Sequence, residues 1–205
     1  MPIDVAGAVR VALRLLAADG LDKLTVRRLA AELGVRAPAL YWHFSSKRSL
    51  LDHMTDALVA PVLAGLPPVG EVHWRNWLES AATGLHTALL SHRDGARVAL
   101  GADLIVARSL GEFAERTVGV LHGAGFPLAD ATRAAGVVVH FVLGRAVEDQ
   151  TRLSASDTAA LISAEGFPFP LMAKGMRERA GSTIADDFRY ALGVLLAGLS
   201  AVKPG

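Results

Sequence analysis

The chain predicts an all-α fold, with a small helical head joined to a larger helical body. Three observations carry this prediction. Apolar residues recur at i, i+3, i+4 and i+7 over several stretches. No stretch of useful length alternates apolar and polar residues as a half-buried strand would. One Pro/Gly break, Leu66-Pro67-Pro68-Val69-Gly70, separates the two parts.

The first helix is expected over residues 5–18, where Val9, Ala12, Leu13 and Leu16 share a face and Gly20 supplies the stop. Thr25 is a suitable N-cap for a second helix over 26–33, which turns Leu29, Ala30 and Leu33 inward. Gly34 permits a sharp turn that Val35 plugs. A third short helix follows from about residue 36 or 37 to 43, with Pro38 in its first turn, where a missing N–H is harmless. Ser45 or Ser46 caps a fourth helix from Lys47, striped by Leu50, Leu51, Met54 and Leu58. Beyond the linker, helices are expected over 74–91, 104–124, 128–148 and 183–202, and a break falls at 166–170.

Composition narrows the function classes. Apolar residues make up 52% of the 205 and charged residues 20%, enough for a packed core and too ordered a mixture for a disordered chain. There is no cysteine, so disulfides and thiolate metal sites are excluded and a reducing cytoplasm fits. The charge-free run over 190–202 is shorter than the roughly 20 residues a bilayer span needs, so no membrane association is expected. Net charge is only +1, but residues 1–50 hold eight Lys/Arg against four Asp/Glu, and the remainder thirteen against sixteen. A basic head on a mildly acidic body suits a nucleic-acid module joined to something that does not touch phosphates. Catalysis is not expected. Ser91-His92-Arg93-Asp94 holds triad residue types, but sequence neighbours cannot face one another as a triad requires. No P-loop or nucleophile elbow is present, and the seven histidines include no i, i+4 metal pair.

Helix, Gly turn and second short helix over 25–43 match a helix-turn-helix, whose second helix enters the major groove. The specific string runs Leu24-Thr25-Val26-Arg27-Arg28-Leu29-Ala30-Ala31-Glu32-Leu33-Gly34-Val35, then Ala39-Leu40-Tyr41-Trp42-His43-Phe44, then Lys47-Arg48-Ser49-Leu50-Leu51. At these residues the chain resembles the TetR family. Leu89-Leu90-Ser91-His92-Arg93-Asp94-Gly95-Ala96-Arg97, His140-Phe141-Val142-Leu143-Gly144 and Glu148-Asp149-Gln150 extend the likeness to its tetracycline-repressor-like subgroup.

The resemblance implies a homodimeric, ligand-responsive repressor: residues 1–46 bind palindromic double-stranded operator DNA, 47–66 form a connecting helix, and 67–205 bind a small-molecule effector and dimerise. An activator, or a regulator without an effector, would share the fold. Arg27 matches a base- or phosphate-contacting position, Arg36, Ala37, Pro38 and Ala39 the exposed recognition face, and Tyr41, His43 and Lys47 phosphate contacts. Trp42 is read as packing. The resemblance also implies pairing through the helices over 128–148 and 183–202. In the antibiotic-binding members a histidine and a carboxylate help to hold a magnesium–drug chelate. Here the histidine position falls on Ala99, a hydroxyl position on Ala102, two polar positions on Leu63 and Ala81 and an aromatic one on Leu85, while the carboxylate aligns with Glu148. No metal or cofactor is therefore expected. The expected effector is moderately apolar, cyclic or polyketide-like, lined by Leu63, Ala81, Leu85, Ala99, Ala102, Phe113, Val137 and Phe141. Thr117 and His140 would add polar contacts, and Met172 and Met176, with Leu171, would close the chamber across the dimer.

Overall fold

A computed structural model describes residues 4–203; the outermost residues of the expected domains, 1–3 and 204–205, lie outside it. Eleven α-helices make up the described chain: α1 (Val5–Asp19), α2 (Val26–Glu32), α3 (Ala37–Tyr41), α4 (Lys47–Gly65), α5 (Trp74–Leu90), α6 (Gly95–Ala99), α7 (Arg108–Gly123), α8 (Leu128–Gln150), α9 (Ala155–Ser163), α10 (Pro170–Glu178) and α11 (Ile184–Val202). A 3₁₀ turn, Leu21–Lys23, lies between α1 and α2.

Two apolar clusters hold the chain. The head cluster gathers Leu16, Leu24, Leu29, Leu40, Phe44, Leu50 and Met54, all at most 1% exposed. The body cluster is built around Trp77, Leu78, Leu85, Phe113, Leu121 and Val142, which are fully buried. Helix α4 serves both: Leu50, Leu51, Met54 and Leu58 enter the head cluster, and Val59 and Leu63 the body cluster. The Pro-rich linker is pinned where the Trp77 Nε1–H donates to the Pro67 carbonyl, 2.8 Å.

Local chemistry explains most helix ends. The Thr25 hydroxyl accepts from Arg28 N, Ser46 (rather than Ser45) from Ser49 N, and Thr183 from Asp186 N, whose carboxylate returns the bond as a capping box. Gly34 turns the chain between α2 and α3 at φ +66°, in the left-handed region that a Cβ disfavours.

The helix expected from residue 104 begins instead at Arg108, leaving Leu104 and Ile105 exposed. The Asp103 carboxylate accepts from Ile105 N, and its carbonyl from Val106 N and Ala107 N, so a side-chain-centred turn replaces the first helical turn. The helix then starts where Asp56 of α4 accepts from Ser109 N, 2.6 Å. Helices α6, α9 and α10 are additions to the sequence expectation.

Candidate nucleic-acid interface and ligand chamber

Inward-facing Leu29, Leu40 and Phe44 fix α2 and α3 against α1 and α4, and this leaves the opposite edge to water. Arg27, Arg36, Pro38, Ala39, Tyr41, His43 and Lys47 are all exposed along it, while Ala37 is partly buried against the head cluster. Trp42 corrects an expectation: it is 90% exposed, not packed, because Leu40 and Phe44 take the two inward positions on either side. Lys47 Nζ donates to the Leu21 carbonyl at 2.9 Å, which holds this ammonium against the turn before α2. Arg28 is paired with Asp19. Arg27 and Arg36 have no ion pair among the described residues.

The junction to the body is the best-tied part of the chain. Helix α6 faces both clusters, with Ala96 and Ala99 in the body core and Val98 in the head core. Arg48 donates to the carbonyls of Val98 and Leu100, each at 2.8 Å, and to the buried Asp52 carboxylate at 2.7 Å. Asp52 also accepts from Asp103 N, so one Arg–Asp pair holds both ends of the 98–103 segment. Asp94 reaches the head: it accepts from Leu21 N at 2.8 Å and from Arg97, which also pairs with Asp22. Burial works to raise the Asp94 pKa, but these donors outweigh it and hold the carboxyl below its ordinary value. Asp94 sits in left-handed backbone at φ 57°. Gly95 follows because a Cβ there would stand 2.3 Å from the Leu89 carbonyl oxygen.

In the body, Leu63, Ala81, Leu85, Ala99 and Phe113 belong to the apolar core cluster, each at most 7% exposed, with Ala102 and Phe141 packed against it, and Thr117 is fully buried. The Thr117 hydroxyl already donates to the Phe113 carbonyl of its own helix, 2.8 Å. The other expected lining residues lie apart. Val137 and His140 point outward from α8; Met172 is 58% exposed on α10; Met176 lines a separate cleft. Their positions on α8 follow from helical phase, since Val138, Val139 and Val142 take the inward face.

A feature missed in the sequence lies beside this cluster. His86 Nε2 and Asp149 Oδ2 are 2.9 Å apart, both side chains buried, and Arg145 grips Asp149 through two bonds of 2.9 and 2.7 Å. The His86 ring stacks on Phe188 with centroids 3.9 Å apart, and Phe141 stacks on the same Phe188. Burial lowers the His86 pKa, and its bond to Asp149 only partly offsets this. Pairing residues 86, 145 and 149 needs the tertiary fold, although Asp149 four residues after Arg145 was a visible helical spacing.

Comparison with known proteins now decides the family. Residues 8–54 match the model for bacterial regulatory proteins of the tetR family, and residues 66–203 the tetracyclin repressor-like C-terminal domain. The chain belongs to the TetR family. It is 39% identical to the class C tetracycline repressor protein of Escherichia coli over 142 residues, 69% of this chain and 64% of that repressor, so the match spans just under two thirds of its length. A possible TetR family transcriptional regulator from Streptomyces coelicolor A3(2) superposes with a TM-score of 0.84 at 36% identity, covering 97% of this chain and 100% of that one. The S. coelicolor TetR family protein ActR, solved in complex with (S)-DNPA, gives 0.83 at 27% identity with both chains fully covered.

Ala99 and Ala102, which the resemblance sets at the histidine and hydroxyl positions of the magnesium–drug site, carry only methyl groups, and Ala99 is fully buried in the body core. Glu148 faces the cleft that Met176 also lines. Among the described residues no group of three or more His, Asp or Glu stands close enough to hold a metal ion, and no helix is long and apolar enough to cross a membrane. The TetR-family body also carries two outward stripes at helical spacing: Arg133, Val137, His140 and Gly144 on α8, and Tyr190, Val194, Ala197 and Ala201 on α11.

Proposed function

We propose that this TetR-family chain is a dimeric transcriptional repressor, bound to a palindromic operator and released by a small, largely apolar effector. The observation that carries the reading is α6, whose Val98 sits in the DNA-facing head while Ala96 and Ala99 sit in the body core. A ligand that moves the body core must therefore shift the head, and a DNA-bound head must resist the ligand by the same factor.

In this reading residues 1–46 read DNA, 47–66 connect, and 67–205 bind ligand and dimerise. Arg36 forks onto a base edge, Ala37, Pro38 and Ala39 meet thymine methyls, Arg27 meets a base or a phosphate, and Tyr41, His43 and Lys47 hold phosphates. Trp42, exposed beside Tyr41, joins this edge. The α8 and α11 stripes, bearing Val137, His140, Tyr190 and Val194, pair with a second copy; such a twofold dimer and a palindromic site go together. His140 and Val137 then belong to the dimer seam and not to the ligand. The effector enters among Leu63, Ala81, Leu85, Ala99, Ala102, Phe113, Thr117 and Phe141, with Met172 and Met176 of one chain offered to the other. ActR, solved in complex with (S)-DNPA, supports a small organic effector. The chain acts without catalysis, in the cytoplasm where the DNA is.

The test is fluorescence anisotropy of DNA from upstream of the protein's own gene, at fixed near-physiological salt, titrated with polycyclic aromatic polyketides. Tight binding that one of them reverses is expected. Binding that no effector of this class alters would remove the release step, and absence of binding would remove the repressor reading.

A further inference from the structure

We propose that the cleft between the C-terminal end of α8 and helices α9 to α11 is a second small-molecule site, built for an amphipathic organic anion. Its volume is about 690 Å³, within the range of small-ligand sites, about 300–1,000 Å³. Of the residues offered above to the effector, only Met176 lines it.

The apolar side consists of Leu153, Leu161, Ile162, Met176 and Ile184. Four guanidiniums, Arg145, Arg152, Arg177 and Arg179, form the polar side. Three carboxylates share the lining, and two of them already accept on both oxygens. Asp149 accepts from Arg145 Nη2 on one oxygen and from Arg145 Nε and His86 on the other. Asp187 accepts from Arg152 and Arg179 on one oxygen, at 2.9 and 2.7 Å, and from the Ser182 hydroxyl on the other. The third, Glu148, has no ion pair among the described residues.

Donors therefore outnumber acceptors. Each guanidinium carries five N–H groups. Arg152 and Arg179 each give one to the same Asp187 oxygen, and Arg177 gives one to the Ile162 carbonyl at a long 3.4 Å. A carboxylate or sulfonate head accepts from the remaining donors in the forked geometry guanidiniums favour, and an apolar body covers Leu153, Ile162 and Ile184. A neutral ligand leaves those donors uncompensated, and a cation meets a net positive lining.

The test is calorimetric titration of the full-length protein with decanoate below its micelle concentration, with decan-1-ol and decyltrimethylammonium as neutral and cationic probes. We expect one decanoate per chain, with affinity at least about tenfold above decan-1-ol, the worth of one charge-assisted hydrogen bond. Arg177→Gln with Arg179→Gln should weaken decanoate about tenfold or more and leave decan-1-ol unchanged. Leu161→Glu, on a side chain 49% exposed and so neutral to folding, should weaken decanoate likewise. Absence of decanoate binding, equal binding of decanoate and decan-1-ol, or decanoate affinity indifferent to the three substitutions would each overturn the proposal.

Discussion

The Arg48 guanidinium donates to the Val98 carbonyl at 2.8 Å, joining the start of the helix that leaves the DNA-facing head to the short helix of the body. Val98 is at once a head-core side chain and a body-core neighbour's backbone, so this bond sits where the two clusters meet. Arg48→Ala removes donors from the Val98 and Leu100 carbonyls and strands the Asp52 carboxylate, which is 2% exposed. Because the Arg48 side chain is itself 36% exposed, water offsets part of the loss, and we expect destabilisation of about 1–3 kcal/mol. Urea unfolding measures it. Arg10→Ala, at an exposed pair with Asp4, should change the midpoint little.

His86 gives the body a pH dependence with a definite sign. Its folded pKa lies below the 6.5 of the unfolded imidazole, so the unfolded state binds the extra proton first. Stability from this group is fully present above pH 6.5 and is lost as pH falls from there through the folded value. The paired Asp187, also lowered, begins to lose its share only below 3.8, well under that window. The melting temperature should therefore fall between pH 7 and 5. His86→Gln should flatten that slope, and a slope unchanged by the substitution would assign it elsewhere.

Phosphate contacts and base contacts separate by salt. Tyr41→Ala should weaken binding to all DNA sequences with little change in the slope of log affinity against log salt, because a neutral hydroxyl releases no counterion. Lys47→Ala should also weaken binding to all sequences, lower that slope by roughly one, and loosen the head, because its ammonium holds the Leu21 carbonyl. Arg36→Ala should keep the slope within roughly one unit and relax preference at one position per half-site, by roughly 1–3 kcal/mol. Selection of unchanged sequences by the Arg36 variant would remove it from base readout.

The dimer seam is tested on an exposed side chain. Val194 is 59% exposed on α11, so Val194→Glu leaves the monomer core intact and places a carboxylate in the proposed interface. Sedimentation should show monomers with unchanged helical circular dichroism. Operator affinity should drop roughly a hundredfold as the two half-sites lose their tether. A dimer that survives the substitution would place the pairing surface elsewhere.

What the sequence disclosed, and what it hid, follows from the range of each interaction. Thr25 was legible as a cap because its bond closes three residues along the chain. The head core was legible from spacing, and so was the family, since its strings lie in one continuous module. The start of α7 was not, because its cap is Asp56, 53 residues earlier. Nor was the bond from Leu21 N to Asp94 legible, since the two residues lie 73 positions apart. The resemblance sets Val137 in the chamber as apolar lining and His140 as a polar contact, but only the phase of α8 against its neighbours decides which face turns outward. Trp42 was read as packing on its apolar ring, whereas the inward positions of a five-residue helix and the turn after it were already taken by Leu40 and Phe44.

The central claim is that the exposed edge of α2 and α3, presented twice by a twofold dimer, reads a specific operator. The most direct measurement is selection of duplexes from a random pool by the purified protein at fixed near-physiological salt. Recovery of one inverted repeat, with half-sites about one helical turn apart or a multiple of it, is the result this account predicts. Recovery of no sequence above background, or of a single unrepeated half-site, would contradict it.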